Sequence, residues 1–301
     1  MGLFKKKKEK EDDVLQQDLK GKEVQPGMVF LIHLLMEEKC ELPDKETMCE
    51  IMNKHLGETD CYAYSEESAG FAAKRYSIHF EKEDKDAPPM LMMTNCFEIP
   101  NPILDGLERT QTWDCPESAG ILESCKYQVI ANDMLGACLP YNERAEMLVD
   151  YVEALVEMFP TCKAVIFDNS KKMFTREKIL NCKAPKDQRF IFYAVNARFF
   201  NIQGTEDMMV DTVGMSTLFL PDLQYHFHGL NPDDVVNHAY NLLIYIFEND
   251  NPIKPGDHVD GLKDGKISAD VQWNVQYEKS LIQPVREVID INTGEFASGT
   301  R

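Results

Sequence analysis

Four histidines in the C-terminal half are the residues of this chain whose type and spacing best suit metal binding. His226 and His228 lie two residues apart in a segment that alternates apolar and polar residues, and His238 and His258 follow them. Because side chains two apart on a strand point to the same face, the first two imidazoles are expected to lie side by side. Together with a third histidine or a nearby carboxylate, they could bind zinc or another divalent metal ion.

A purely structural interpretation competes with the metal site. If Leu223, Tyr225 and Phe227 face the core, His226 and His228 face solvent, where pairs of histidines are common. His238 lies beside the apolar face of the helix that follows, so it is equally well explained as a packed residue.

Motifs for other chemistry are missing from the sequence. There is no GxGxxG or GxxxxGK[ST] phosphate loop, no GxSxG and no HExxH. Asp168 and Asn169 follow an apolar strand, a place where sites often form, but Ser170 and two lysines continue the segment as an ordinary turn. The sequence therefore predicts no catalytic residue and no cofactor, and it leans against an enzyme.

The elements that must position these histidines are well specified. Residues 223–227 alternate as a half-buried strand, and Gly229 ends it. Asn231 is a good N-cap, Pro232 suits the first helical position, and apolar residues then recur at helical spacing as far as about residue 248. This segment predicts a strand that runs into a long amphipathic helix.

Both halves of the chain begin β-α-β and continue with antiparallel strands. We therefore predict an α+β fold of two ferredoxin-like β-α-β-β layers in tandem, with mostly antiparallel sheets and helices on one face. The expected organisation is a disordered charged tail (1–24), an N-terminal layer with a helical connection (25–123), a C-terminal layer (124–292) and a flexible tail (293–301). Within it, residues 190–202 are expected to form one long strand, and Trp113 to fill a gap between layers.

The chain is strongly acidic, with a formal net charge of −19 over 301 residues. Such a surface repels nucleic acid and anionic membranes, so neither is expected as a partner, whereas a basic protein is a suitable one. The lysines at positions 5–8 form a short cluster whose role the sequence does not indicate. The apolar run at residues 29–36 is too short to span a bilayer.

Nine cysteines are scattered along the chain, without a CxxC pair. An odd number without regular spacing predicts neither a disulfide framework nor a zinc-finger site. A reducing cytoplasm is the simplest setting, with most thiols acting as small core residues.

Three features of the C-terminal half occur together: the motif Leu220-Pro221-Asp222-Leu223, the helix at 231–249 and the closing segment 255–259. In these features the chain resembles a bacterial family called domain of unknown function forty-two sixty-one. The resemblance is best over residues 190–275 and adds nothing for residues 28–99. The family is uncharacterised, so the resemblance implies no catalytic residues.

These observations favour a cytoplasmic bacterial protein that acts by binding. One concrete version is an immunity-like acidic protein that binds a basic protein partner. The first alternative is a metal-dependent enzyme or metal-binding protein that uses His226 and His228. The second is a sensor of a small ligand held in a cleft between the halves. The sequence does not predict the partner, the substrate or the oligomeric state.

Overall fold

A computed structural model describes residues 29–82 and 84–299 of the chain. The predicted charged tail at 1–24, with its lysine cluster, lies outside these residues. The strands are β1 Leu31–Met36, β2 Thr59–Tyr64, β3 Ser68–Ala73, β4 Ile78–Phe80, β5 Lys85–Ala87, β6 Met90–Thr94, β7 Phe97–Glu98, β8 Tyr127–Met134, β9 Ala164–Phe167, β10 Lys172–Thr175, β11 Asn196–Asn201, β12 Met208–Val213, β13 Asp222–Phe227, β14 His258–Lys263, β15 Lys266–Lys279 and β16 Glu287–Asn292. The α-helices are α1 Lys45–Leu56, α2 Gly106–Arg109, α3 Ser118–Ser124, α4 Tyr141–Met158, α5 Arg176–Leu180, α6 Arg189–Ala194 and α7 Pro232–Glu248.

The first sheet has the order β10-β9-β1-β8-β6-β3-β2, with β7 paired to β8, and every pair in it is antiparallel. β1 lies near its centre because this strand is almost wholly apolar, and its buried backbone groups need partners on both sides. β8 and β9 supply those partners. Strands from both predicted layers therefore share one sheet, and the sheets divide between β10 and β11 instead of at 123/124.

The second sheet has the order β11-β12-β13-β16-β15-β14. Only β13 and β16 pair in parallel within it, so the predicted mostly antiparallel α+β fold is confirmed. The ferredoxin-like detail is not confirmed. Helices are also not restricted to one face, because α3 packs against the face of the first sheet opposite to α4.

The two sheets share one core. A single hydrophobic cluster contains inward-facing residues of both sheets together with residues of α1, α4, α6 and α7. The helices α4, α6 and α7 touch in succession, and α7 lies on strands β11 to β14. No helix among residues 29–82 and 84–299 has the length and apolar character needed to cross a bilayer.

The long helix α7 forms as its sequence predicts. Asn231 Oδ1 accepts a hydrogen bond from the Asp233 backbone N–H at 2.9 Å, and Pro232 occupies the first turn. The buried face consists of Val235, His238, Ala239, Leu242, Leu243, Ile246 and Phe247. This stripe has the helical spacing seen in the sequence and packs against the second sheet.

The prediction of one strand at 190–202 was wrong, because the segment divides into helix α6 and strand β11. Phe190, Ile191, Tyr193 and Ala194 are buried, which is the spacing of one helical face. The strand begins only after Val195, where β11 forms an edge of the second sheet.

The expectation for Trp113 was also wrong, since its side chain is 57% exposed. The residue that joins the connection to the second sheet is Gln111. Its Oε1 accepts from the Phe199 N–H at 2.9 Å and its Nε2 donates to the Phe199 carbonyl at 3.2 Å. The side-chain amide thus pairs with the edge strand β11 as a neighbouring backbone would.

Candidate metal centre

β13 carries His226 through the middle of the second sheet, and all six of its residues are buried. Its apolar side chains contribute to the core, and Gln224 and His226 project to the opposite face. That face is covered: the Leu281 N–H donates to Gln224 Oε1 at 2.7 Å. The Ser298 N–H, within the predicted C-terminal tail, donates to the His226 carbonyl at 3.1 Å. His226 is only 7% exposed, so the expectation that it faces solvent was wrong.

Two carboxylates meet His226 on this covered face. His226 Nε2 lies 2.8 Å from Asp290 Oδ1, and Asp290 comes from the neighbouring parallel strand β16. Glu278, from the next strand β15, completes the group. One ligand atom from each residue lies within 4.8 Å of the other two. Histidine nitrogen with carboxylate oxygens is a donor set for borderline divalent metals such as zinc.

These separations are close to those of a coordination sphere. Tetrahedral zinc with bonds of about 2.0–2.2 Å places its ligand atoms about 3.3–3.5 Å apart. His226 Nε2 and Asp290 Oδ1, now in hydrogen-bond contact at 2.8 Å, need to separate by only about 0.5 Å to reach that spacing. Glu278 is half-buried and has a long, rotatable side chain, which suits it to close the remaining distance.

The contacts of Gln224 show that the three possible ligand atoms surround a hydrogen-bond donor. Its amide nitrogen lies 2.9 Å from Glu278 Oε1, 3.1 Å from His226 Nε2 and 3.4 Å from Asp290 Oδ1. An amide has only two N–H groups, so it cannot donate well to three acceptors at once. The three ligand atoms therefore converge on a positively polarised group, as they would on a cation.

A layer of buried ion pairs lies beside this cluster. Arg286 contacts Asp211 at 2.8 Å and Asp222 at 3.0 Å, and Arg198 contacts Asp211 at 2.6 Å. Burial alone raises the pKa of Asp211, but the two arginines outweigh it and hold that pKa below its usual value. For Asp222 burial prevails over Arg286 and the pKa is raised. The arginines thus form ion pairs with Asp211 and Asp222, whereas Asp290 and Glu278 face His226 and Gln224.

The other three predicted histidines lie elsewhere. The His228 N–H, just beyond β13, donates to the Phe296 carbonyl at 2.8 Å. His238 Nδ1 lies 2.9 Å from Tyr225 Oη, its Nε2 lies 2.7 Å from the Asp260 carbonyl, and burial lowers its pKa. His258 is exposed at the start of β14. Among the described residues, His226 alone of the four joins a group of possible metal ligands.

Glu278 and Asp290 were not predicted from the sequence. Asp290 could have been suspected, because it interrupts the apolar run Val288, Ile289 and Ile291. A charged residue in such a run needs a partner. Glu278 could not, since it follows the ordinary alternation of apolar and polar residues in a half-buried strand.

The nine cysteines are all free thiols. Four are buried, and burial raises the pKa of Cys162 to about 12, so this thiol stays protonated. None of the nine belongs to a metal-ligand group in the part of the chain that the structure describes.

Comparison with known proteins gives one match. Residues 211–292 match a family described as Domain of unknown function (DUF4261), which confirms the resemblance over this segment. The matched segment contains all three members of the cluster, His226, Glu278 and Asp290. No curated protein matches. No solved structure matches either.

Proposed function

We propose that this protein binds a divalent metal ion through His226, Glu278 and Asp290. The observation that carries the proposal is the convergence of one imidazole nitrogen and two carboxylates, from three adjacent strands, on the Gln224 amide nitrogen. Pairing of β13 with β16 holds His226 Nε2 and Asp290 Oδ1 2.8 Å apart, close enough for both to bind one ion after a small side-chain movement.

The donor set indicates the class of metal. An imidazole with two carboxylates suits zinc, manganese or ferrous iron better than calcium or magnesium, which prefer oxygen ligands throughout. Three protein ligands also leave coordination positions for water or a small ligand, as in catalytic zinc sites. The Gln224 amide must move aside or turn its oxygen inward when the ion enters.

Elemental analysis of protein purified without a histidine tag tests the proposal. We expect about one equivalent of a transition metal, or uptake of one equivalent when chelator-treated protein is titrated with zinc or manganese by calorimetry. The variants H226A and E278Q should each lose this binding. E278Q changes a half-buried residue, so it keeps the test valid if H226A fails to fold.

The variant H258A is the matched control, because this exposed histidine belongs to no ligand group among the described residues. It should bind metal as the unchanged protein does. Two results would overturn the proposal: no uptake of zinc or manganese by folded protein, or equal loss of binding in H258A and H226A.

A further inference from the structure

The two faces of the first sheet differ sharply at the β8-β6-β3-β2 end. Side chains on the inner face, which packs against α1 and α4, are almost completely buried, as at Phe71, Leu91 and Ala131. Most of their neighbours on the outer face are partly exposed or exposed. Met134 is 39% exposed and Tyr62 is 45% exposed.

The cover on the outer face stops partway across the sheet. Residues 99–125, which include α2 and α3, pack over β1, β9 and β10, so that Leu35, Ala164 and Ile166 are fully buried. From Ile130 in β8 across β6 and β3 to β2, the outer positions have no such cover among the described residues. We name them the open face: Asp60, Tyr62, Ser68, Ala72, Met90, Met92, Thr94, Ile130, Asn132 and Met134.

The composition of the open face is unlike that of a face built only to meet water. Antiparallel sheets that face solvent alternate with polar residues on the wet side, whereas most of this face is apolar. Met90, Met92 and Met134 supply flexible side chains that adapt to a partner surface. Tyr62 lies flat over Gly70, where a Cβ atom would come within 2.6 Å of its ring.

The surroundings of the open face indicate the charge of its partner. The exposed acids Glu58, Asp60, Glu66 and Glu67 lie on or beside the edge strand β2. Two lysines lie near these four acids. Lys74 pairs with Asp60 at 2.6 Å and Glu58 at 3.3 Å. Burial raises the pKa of the Cys61 thiol in β2, and Lys45 lies close enough to that thiol to lower its pKa by a smaller amount. The remaining negative charge favours a partner that brings its own cations.

We propose that the open face binds a cationic amphipathic segment of another protein. Apolar side chains of that segment would pack on Met90, Met92 and Tyr62, and its lysines or arginines would meet the acids beside β2. This gives a location to the basic protein partner that the net charge alone suggests, and it is independent of the metal centre.

Fluorescence anisotropy with a defined probe tests this proposal. The probe is a labelled peptide of about 18 residues, roughly five helical turns, with leucine on one face and lysine on the other. We expect it to bind the full chain more weakly as salt rises. M92E and M134E should each weaken binding at least about tenfold, which corresponds to ~1.4 kcal/mol.

The control variant is I267E, at an apolar position 46% exposed on β15 of the second sheet, and it should bind the peptide normally. Circular dichroism must show that M92E and M134E remain folded. The proposal fails if the peptide does not bind, if a leucine–glutamate peptide binds equally well, or if I267E weakens binding as much as M92E.

Two other occupants of the open face would also overturn the proposal. A dimer that M92E abolishes would assign the face to self-association. Peptide binding that appears only after removal of residues 1–24 would assign the face to the chain's own N-terminus.

Discussion

Arg286 is the side chain that holds the polar layer of the second sheet together. Its guanidinium contacts Asp211 and Asp222 and also donates to the Pro284 carbonyl at 2.9 Å. Arg286 and both aspartates are buried. Loss of this cation would leave Asp222 without its arginine and Asp211 with Arg198 alone, both in a low-dielectric environment.

We therefore expect R286M to lower the free energy of unfolding by about 3–5 kcal/mol at neutral pH. Burial already raises the pKa of Asp222, and removal of Arg286 raises it further above the unfolded-state value. A carboxyl group with a raised pKa stabilises the folded state as it takes up a proton, so the loss of stability in R286M should shrink as the pH falls through the pKa of Asp222. Urea denaturation at two pH values measures both effects.

The exposed ion pair of Lys263 and Asp270, at 2.6 Å, provides the comparison. K263M should cost at most about 1 kcal/mol, because water already solvates both charges. This account of the buried network would be contradicted if R286M lowered the free energy of unfolding as little as K263M does, or if its effect grew at low pH.

His226 marks where residue-level prediction succeeded and where it failed. Its type and its place on a strand were sufficient to name it as a candidate ligand. Its partners could not be found, because Glu278 and Asp290 lie 52 and 64 residues further along the chain and join it only through strand pairing. His238, equally plausible in the sequence, has hydrogen-bond partners at both ring nitrogens.

At the scale of elements, α7 is the clearest case in which local sequence specifies structure. Asn231 accepts from the Asp233 N–H, one of the backbone donors that the first turn leaves without an intrahelical partner. We expect N231A to lower the free energy of unfolding by about 1 kcal/mol, measured by thermal or urea denaturation.

The same substitution in the middle of α7 is the control. Asn241 is exposed, and its side chain donates to the Asn237 carbonyl one turn earlier. N241A should be neutral or slightly stabilising, because alanine has the higher helix propensity. If N231A and N241A changed stability equally, the cap would not account for the loss.

Elements whose identity depends on packing were harder to predict. Residues 190–194 are rich in aromatic residues, which favour a strand, yet they form the short helix α6. The helix is selected because it buries Phe190 and Tyr193 together in the core that both sheets share. Local propensity has less effect than that burial.

At the scale of the whole molecule, the two sheets are joined by buried contacts. Arg144 of α4 binds Asp133 of β8 with an Nε–Oδ2 distance of 3.0 Å. Its guanidinium also donates to the Thr217 carbonyl, in the turn between β12 and β13. One hydrophobic cluster extends through both sheets. This arrangement differs from two independent layers in tandem.

We therefore expect the chain to unfold in one cooperative transition. In a W113F variant, tryptophan fluorescence reports Trp273 in the second sheet, and far-UV circular dichroism reports the whole chain. The two urea curves should have the same midpoint. Trp113 is exposed, so the W113F variant should keep the stability of the unchanged chain, which far-UV circular dichroism of both proteins checks. Separate midpoints would show that the sheets unfold independently.

The sequence by itself determined the α+β class, the long helix and its cap, most strand positions and one member of the proposed metal centre. These features depend on caps, turns and apolar periodicity within a few residues. Only the tertiary structure decided that β1 pairs with β8 and β9, that β16 lies beside β13, and that, among the described residues, the cover formed by 99–125 stops short of the open face. Those outcomes depend on how distant segments share one core, because a strand can pair with any compatible neighbour until burial selects one.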